Sequence, residues 1–254
     1  MRETLLLEGA GQGESDVLLA EAPTLAWRDL GRRATRAMVA ATVGGSIAVL
    51  LSGLPAKHAG LKAKTQHKPG HAKAHDASPA EGDAQELAEA AAAAAETRAM
   101  LFSAVSRCRP SLTRAQRGRI ADAIQQEAGR HGYDPLFVMA MVEVESTCSP
   151  TANSPRGAVG LTQIKPSTAR AVAKDLGVPW QGRSTLLQPL LNVRLGLSYL
   201  AQLEEQFGDP LVAMAAYNLG PGRVSNMSKQ HARRARYVKK VLARYEGLLE
   251  EHAA

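Results

Sequence analysis

Glu145 is the residue of this chain whose surroundings point most clearly to chemistry. It follows an almost wholly apolar stretch, residues 136–144, and precedes the small polar residues Ser146 and Thr147. A carboxyl group among hydrocarbon side chains is disfavoured in its charged form, so its pKa rises. An acid that stays protonated near neutral pH can serve as a general acid. The sequence therefore predicts a proton donor at Glu145; the alternative is a partly exposed glutamate at a helix end.

Glu145 has no carboxylate partner nearby in the sequence. No acid occurs between Glu145 and Asp175, and Glu143 points to nearly the opposite face of a helix. Glycoside hydrolysis ordinarily uses two carboxyl groups, one as the acid and one as the base or nucleophile. A lone acid suits another route, in which it protonates the glycosidic oxygen and then, as a carboxylate, takes a proton from a hydroxyl of the same sugar. That hydroxyl attacks the anomeric carbon and closes a ring.

Several motifs occur in a fixed order from Glu145 onward. They are Glu145-Ser146, Ser154-Pro155, residues 157–164, residues 166–169, Asn192 with Gly196 and Tyr199, and residues 216–222. Over roughly residues 112–245 they resemble the catalytic domain of soluble lytic transglycosylases, relatives of goose-type lysozyme. The resemblance implies a mainly α, lysozyme-like fold. It also implies cleavage of the β-1,4 bond between N-acetylmuramic acid and N-acetylglucosamine, with formation of 1,6-anhydro-muramic ends.

The resemblance further implies roles for single residues. Glu145 is similar to the family's acid and base, Ser154 and Gln163 to cleft residues, Tyr217 to the hydroxyl that orients the carboxyl, and Asn218 to a residue of the sugar site. A core tyrosine at 217 and a turn-former at 154 are the alternatives. Neither a metal nor a cofactor is implied. The residues expected to be structural are Ser146, Gly157, Gly160, Cys108 and Cys148.

Three positions depart from the family pattern. Thr162 stands where the family usually has Met, so we expect a weaker apolar contact with the sugar. Cys148 replaces the usual aromatic residue, which favours a disulfide that ties down its loop. Arg233 stands where the family often has Glu, shortly before Tyr237, so we expect a wall of the cleft to lack an acid and far subsites to have changed preference.

The region before this domain predicts a membrane anchor and a linker. Residues 1–36 carry four arginines near their end and are expected in the cytoplasm, and residues 37–54 are uncharged and just long enough to cross a bilayer. We predict a signal-anchor, with a cleaved signal peptide or a buried soluble helix as alternatives. Residues 55–82, rich in Lys, His and Ala, read as a disordered linker.

The remaining sequence predicts helices. An Ala-rich helix is expected over residues 83–107, opened by a capping box at Asp83, and a single globular domain over residues 108–249. Capping signals at Thr113, Asp134 and Asp209 predict three helix starts within that domain. Residues 157–164 predict one small β-hairpin.

Charge and cysteine content bear on partners and compartment. The chain has 31 Lys and Arg against 24 Asp and Glu, a net charge of +7, which suits an anionic partner such as nucleic acid, acidic lipid or acidic cell-wall polymer. Outside the cytoplasm Cys108 and Cys148 could pair, although the sequence does not tell how closely they approach. The basic residues near the C-terminus are Arg223, Lys229, Arg233, Arg234, Arg236, Lys239, Lys240 and Arg244.

The leading hypothesis is a lytic transglycosylase of the inner (cytoplasmic) membrane whose catalytic domain acts on peptidoglycan glycan strands on the periplasmic side. Its setting would be cell-wall turnover or the opening of a gap for a secretion or motility apparatus. A hydrolytic muramidase and a non-catalytic wall-binding or scaffold protein are the alternatives. Nucleic-acid binding is not expected, because no recognised motif accompanies the basic residues.

Overall fold

The computed structural model of the protein describes residues 79–253, and this part is mainly helical, as predicted. The predicted segments 1–36 and 37–54, and the linker up to residue 78, lie outside the described residues. Within residues 79–253, no helix has the length and apolar character needed to span a bilayer. The helices are α1 (Pro79–Cys108), α2 (Arg114–His131), α3 (Pro135–Ser146), α4 (Pro166–Asp175), α5 (Arg183–Leu186), α6 (Pro189–Phe207), α7 (Pro210–Leu219), α8 (Pro221–Val224), α9 (Lys229–Arg233) and α10 (Arg236–Ala253).

The predicted capping signals mark real helix boundaries. Thr113 and Gln116 form a complete capping box at the start of α2, and Gly132 ends that helix in the left-handed conformation. Asp134 then accepts hydrogen bonds from the first backbone amides of α3, and Asp209 does the same for α7. These caps fix where α3 and α7 begin, and the predicted site residues Glu145, Tyr217 and Asn218 lie near the opposite ends of these two helices.

The predicted start of α1 is wrong. The helix begins at Pro79, so Asp83 lies inside it instead of capping it. Proline fits the first helical position because its missing N–H would have no intrahelical partner there. The alanine-rich sequence that follows propagates the helix without a further signal.

Helix α3 lies at the centre of the larger of two cores. Residues 136–142 are all buried, and α3 packs against α1, α2 and α10. A fully buried Glu127 on α2 pairs with Arg194 on α6 at 2.8 Å, which joins α6 to the same body. The second, smaller core consists of Val159, Ile164, Ala169, Val172, Ala173, Leu186 and Leu195 beneath α4.

The β-hairpin predicted over residues 157–164 is replaced by isolated bridges. Val159 forms one antiparallel bridge with Asn153 and another with Ile164. The buried side chain of Asn192 takes the backbone groups that a longer ladder would need: its amide donates to the Val159 carbonyl at 3.0 Å, and its oxygen accepts from the Thr162 amide at 2.8 Å. One asparagine therefore orders this segment in place of strand pairing.

Candidate active site

Glu145 is the penultimate residue of α3, and the turn after it is unusual. Thr147 and Cys148 both take left-handed backbone conformations, with φ of 48° and 56°. Such conformations cost about 1 kcal/mol or more for residues other than glycine. Cys148 forms a disulfide with Cys108 at the end of α1, with the Cα atoms 6.1 Å apart. The cross-link therefore anchors the turn next to Glu145.

The environment of Glu145 raises its pKa to about 7, chiefly because burial penalises the charged form. The hydroxyl of Tyr237 opposes this effect by stabilising the carboxylate. That hydroxyl is buried and makes no hydrogen bond of ordinary geometry among the described residues. In the sequence, Tyr237 only marks a position of the family pattern, and no local signal pairs it with Glu145.

Glu145 opens onto a groove of about 370 Å³. Ser154, Gln163, Tyr217 and Asn218, the four residues predicted to contact substrate, all line this groove with it. Glu145 is the only acid among the described residues that line it. The other lining residues are Arg156, Ala158, Ile164, Lys165, Thr168, Tyr199, Leu219, Gly220 and Pro221.

Ser154 organises a tight turn on one side of the groove. Its hydroxyl accepts from the Ala158 amide at 3.0 Å, and its carbonyl accepts from the Gly157 amide at 2.9 Å. Gly157 has a φ of 77°, which favours glycine. Ser154 thus serves as a turn-former and as a lining residue at once.

Gln163 and Gly160 shape the floor next to this turn. Gln163 has a φ of 50°, and its side-chain amide donates to the Gly160 carbonyl at 2.9 Å. Gly160 has no room for a side chain, because a Cβ would lie 2.6 Å from the Leu186 carbonyl oxygen. The close packing at Gly160 thus comes from protein neighbours.

Two tyrosines also line the groove. The ring centroids of Tyr199 on α6 and Tyr217 on α7 lie 5.5 Å apart. The Tyr217 hydroxyl donates to the Thr162 carbonyl at 2.9 Å, so it holds the floor segment and does not hydrogen-bond to Glu145. Asn218 follows at the end of α7 and is exposed in the groove.

Thr162 and Arg233 do not contact the groove, contrary to expectation. Thr162 is fully buried, and its hydroxyl interacts with Asn192 at 2.9 Å. It packs against Gly196, where a Cβ would lie 2.7 Å from the Thr162 Cβ. Arg233 donates to the Asp209 carboxylate at 2.7 Å, so it supports the cap of α7 and does not line the groove.

No second carboxylate or metal site adjoins Glu145 among residues 79–253. Glu143 pairs with Arg244 on α10, as expected for a side chain on another face of α3. Cys108, Glu143 and Cys148 lie close together, but the cysteine sulfurs are joined to each other and are not free to bind a metal. Ser146 donates to the Val142 carbonyl at 3.1 Å and so supports the helix end.

Comparisons with known proteins identify the same region. The family model "Transglycosylase SLT domain" matches residues 122–239. The soluble lytic murein transglycosylase of Salmonella typhimurium is 44% identical over 90 residues, which cover 35% of this chain and 14% of that protein. The membrane-bound lytic murein transglycosylase C of Histophilus somni is 33% identical over 116 residues, which cover 42% of this chain and 32% of that protein.

A solved structure resembles the chain over a similar extent. The lytic transglycosylase Slt of Pseudomonas aeruginosa has a TM-score of 0.46 and 30% identity, covering 52% of this chain and 24% of that one. The chain therefore spans a third or less of the length of each of these three relatives.

Proposed function

On the premise that residues 122–239 belong to the transglycosylase SLT domain family, we propose that this protein is a peptidoglycan lytic transglycosylase. It cleaves the β-1,4 bond between N-acetylmuramic acid and N-acetylglucosamine and leaves 1,6-anhydro-muramic ends. The observation that carries the proposal is the groove around Glu145. Its lining contains one acid within residues 79–253, and burial raises the pKa of that acid to about 7.

Glu145 acts first as an acid and then as a base. Its carboxyl proton passes to the glycosidic oxygen, and the bond from this oxygen to the anomeric carbon breaks. The resulting carboxylate takes the proton of the C6 hydroxyl of the same muramic acid, whose oxygen bonds to the anomeric carbon. Because the attacking hydroxyl is already part of the bound sugar, the second step is intramolecular and needs no water. The carboxyl ends the cycle protonated, as it began.

Tyr237 tunes this acid. Its hydroxyl stabilises the carboxylate more than the protonated form and so lowers the pKa of Glu145 against the effect of burial. The carboxylate that forms during the first step therefore has a neighbouring donor in a buried site. We therefore propose for Tyr237 the role that the family resemblance implied for Tyr217.

The remaining lining residues bind and orient the strand. The Ser154 hydroxyl accepts a hydrogen bond within its turn, and the Gln163 amide donates one to the Gly160 carbonyl. These bonds keep both side chains fixed at the groove. Tyr217 fixes the same floor through Thr162, and Asn218 offers an exposed amide to the sugar. These roles follow from position and chemistry.

We also propose that the domain works outside the cytoplasm and is tethered there. The disulfide suits an oxidising compartment, and the apolar residues 37–54 suit a membrane anchor. Residues 55–78 would then link the anchor to the domain. A secretion or motility apparatus remains the proposed setting for a tethered enzyme that opens the wall locally.

Mass spectrometry of digested murein tests the proposal. The full chain should release muropeptides with anhydro ends, which weigh one water less than reducing ends, and Glu145→Gln should release none. Glu143→Gln is the matched control, because Glu143 lies two residues away on α3 and pairs with Arg244 outside the groove. Products with reducing ends would instead identify a hydrolytic muramidase. Undiminished digestion by Glu145→Gln would show that this carboxyl is idle.

A further inference from the structure

Two cations line the same groove as Glu145 and have no assigned role. They are Arg156 and Lys165, both exposed. Neither forms an ion pair with any residue in the described part of the chain. Glu145 is the only acid among the described residues that line the groove, so the lining is net positive even when Glu145 is ionised.

Two cations near the C-terminus are paired within the fold. Arg233 and Arg244, which belong to the C-terminal basic residues, pair with Asp209 and Glu143. Their charges therefore balance acids of the fold. The unbalanced positive charge that can meet a ligand at the groove lies instead at Arg156 and Lys165.

The backbone holds both cations at the groove. Arg156 is at the tip of the Ser154 turn, which three hydrogen bonds close: two between the backbones of Ser154, Gly157 and Ala158, and one to the Ser154 hydroxyl. The position of this side chain is thus set by an ordered turn.

Lysine is an unfavourable residue type for the stability of α4 at position 165. It is the N-cap of α4 and makes no capping hydrogen bond through its side chain. Asp, Asn, Ser or Thr at such a position would stabilise the helix, and a positive charge there opposes the helix dipole. A residue that breaks a local rule without a gain in packing is expected where function requires it.

We propose that Arg156 and Lys165 bind carboxylates of the stem peptides on the glycan strand, so that the groove prefers strands whose peptide carboxyl groups are free. This inference rests on the proposed function. In a peptide-bearing strand the lactyl carboxyl of each muramic acid is an amide, so the sugars are neutral and offer these cations no counter-charge. The peptides themselves are rich in carboxylates. The two residues act as specificity determinants and take no part in the proton transfers.

The size of the effect follows from the exposure of both cations. An ion pair between exposed groups contributes up to ~1 kcal/mol, which is about fivefold in a rate or binding constant. Salt screens such pairs. The preference should therefore be largest at low ionic strength.

The experiment compares murein with its free carboxyl groups intact against murein whose carboxyl groups have been converted to methylamides after its amines were blocked. Mock-treated murein that received no carbodiimide is the substrate control. Rates of muropeptide release are measured at low salt for the full chain and for Arg156→Gln, Lys165→Gln and the double variant. Arg170→Gln is the control variant, since Arg170 is an exposed cation of α4 that does not line the groove.

Wild type and Arg170→Gln should cut the native murein about fivefold faster than the methylamide, and the double variant should cut both at about the rate that wild type shows on the methylamide. The inference is overturned if wild type cuts both substrates equally, or if the variants lose the same fraction on both. Absence of soluble muropeptides from both substrates with wild type would overturn the proposed function, and this inference with it.

Discussion

At the scale of single residues, two opposing effects set the proton affinity of Glu145. The apolar surroundings of its side chain raise the pKa to about 7, and the Tyr237 hydroxyl works in the other direction. A general acid is most effective when its pKa lies near the working pH. In the proposed mechanism the carboxylate that acts as a base is produced during the reaction, so only the protonated form of Glu145 starts a turnover.

The first prediction concerns pH. Because the raised pKa keeps Glu145 protonated up to about pH 7, kcat/KM for soluble glycan strands should be high below this pH and fall tenfold per pH unit above it. A pH series with anhydro-muropeptide release as the readout measures this. A fall in activity that begins near pH 4 to ~5, where an ordinary glutamate ionises, would contradict the assignment.

The second prediction isolates the tyrosine. Tyr237→Phe removes the hydroxyl that lowers the pKa of Glu145, so the alkaline fall in kcat/KM should move to higher pH while the maximal rate drops. Tyr245→Phe is the matched control, since its hydroxyl interacts with Asp134 at the other end of α3. An unchanged pH profile in Tyr237→Phe, with only reduced stability, would show that Tyr237 is a packing residue.

The role of Glu145 was predictable from the sequence because its apolar flank is local along the chain. The contribution of Tyr237 was not, because Tyr237 meets Glu145 only through the packing of α10 on α3. The same holds for Arg233, whose partner Asp209 is 24 residues away and looks like an ordinary helix cap. Long-range pairings of this kind leave no pattern in a single sequence.

At the scale of elements, the disulfide joins the end of α1 to the turn after α3. Loss of a cross-link between residues 40 positions apart should destabilise the protein by ~4 kcal/mol if loop entropy dominates. The Cys108→Ser/Cys148→Ser variant should therefore unfold at a lower temperature than wild type. It should also lose activity while still folded, because Thr147 and Cys148 no longer hold the left-handed turn beside Glu145. Calorimetry measures the unfolding temperature, and murein digestion at 20 °C, a chosen assay temperature, measures the activity. Full activity of the folded variant would contradict the positioning role of the disulfide.

Two glycines inside helices should respond in opposite ways to alanine. Gly196→Ala places a Cβ against the buried Thr162 and should destabilise the protein by about 1–3 kcal/mol while disturbing the groove floor. Gly118→Ala on α2 meets only the Arg98 guanidinium at 3.6 Å and should stabilise by up to ~1 kcal/mol. Urea unfolding of both variants measures the pair. A Gly196→Ala variant as stable as wild type would show that α6 and the floor segment are not tightly packed.

Helix ends were predictable where the capping residue is a local signal, as at Thr113, Asp134 and Asp209. The hairpin was not, because residues 157–164 alternate in a way that suits strands while Asn192, about 30 residues later, takes their backbone groups. Local propensity loses to a buried side chain that the sequence does not connect to the segment.

At the scale of the whole molecule, the core residues in the described part of the chain begin at Leu101. A chain that starts at residue 79 should therefore keep the unfolding midpoint and the activity on soluble glycan strands of the full chain. It should differ only in location, since the proposed anchor at residues 37–54 is removed. Circular dichroism measures the unfolding midpoint, digestion of soluble glycan strands measures the activity, and membrane fractionation measures the location. A truncated chain that unfolds at much lower temperature would show that the N-terminal residues contribute to the fold.

The proposed mechanism requires that the Glu145 carboxyl in the groove holds its proton near neutral pH. The most direct test is a carbon-13 NMR titration of protein labelled at the glutamate side-chain carboxyl carbon, with the Glu145 signal assigned as the one missing from Glu145→Gln. We expect a titration midpoint at about 7. A midpoint near the ordinary glutamate value of ~4.3 would contradict it.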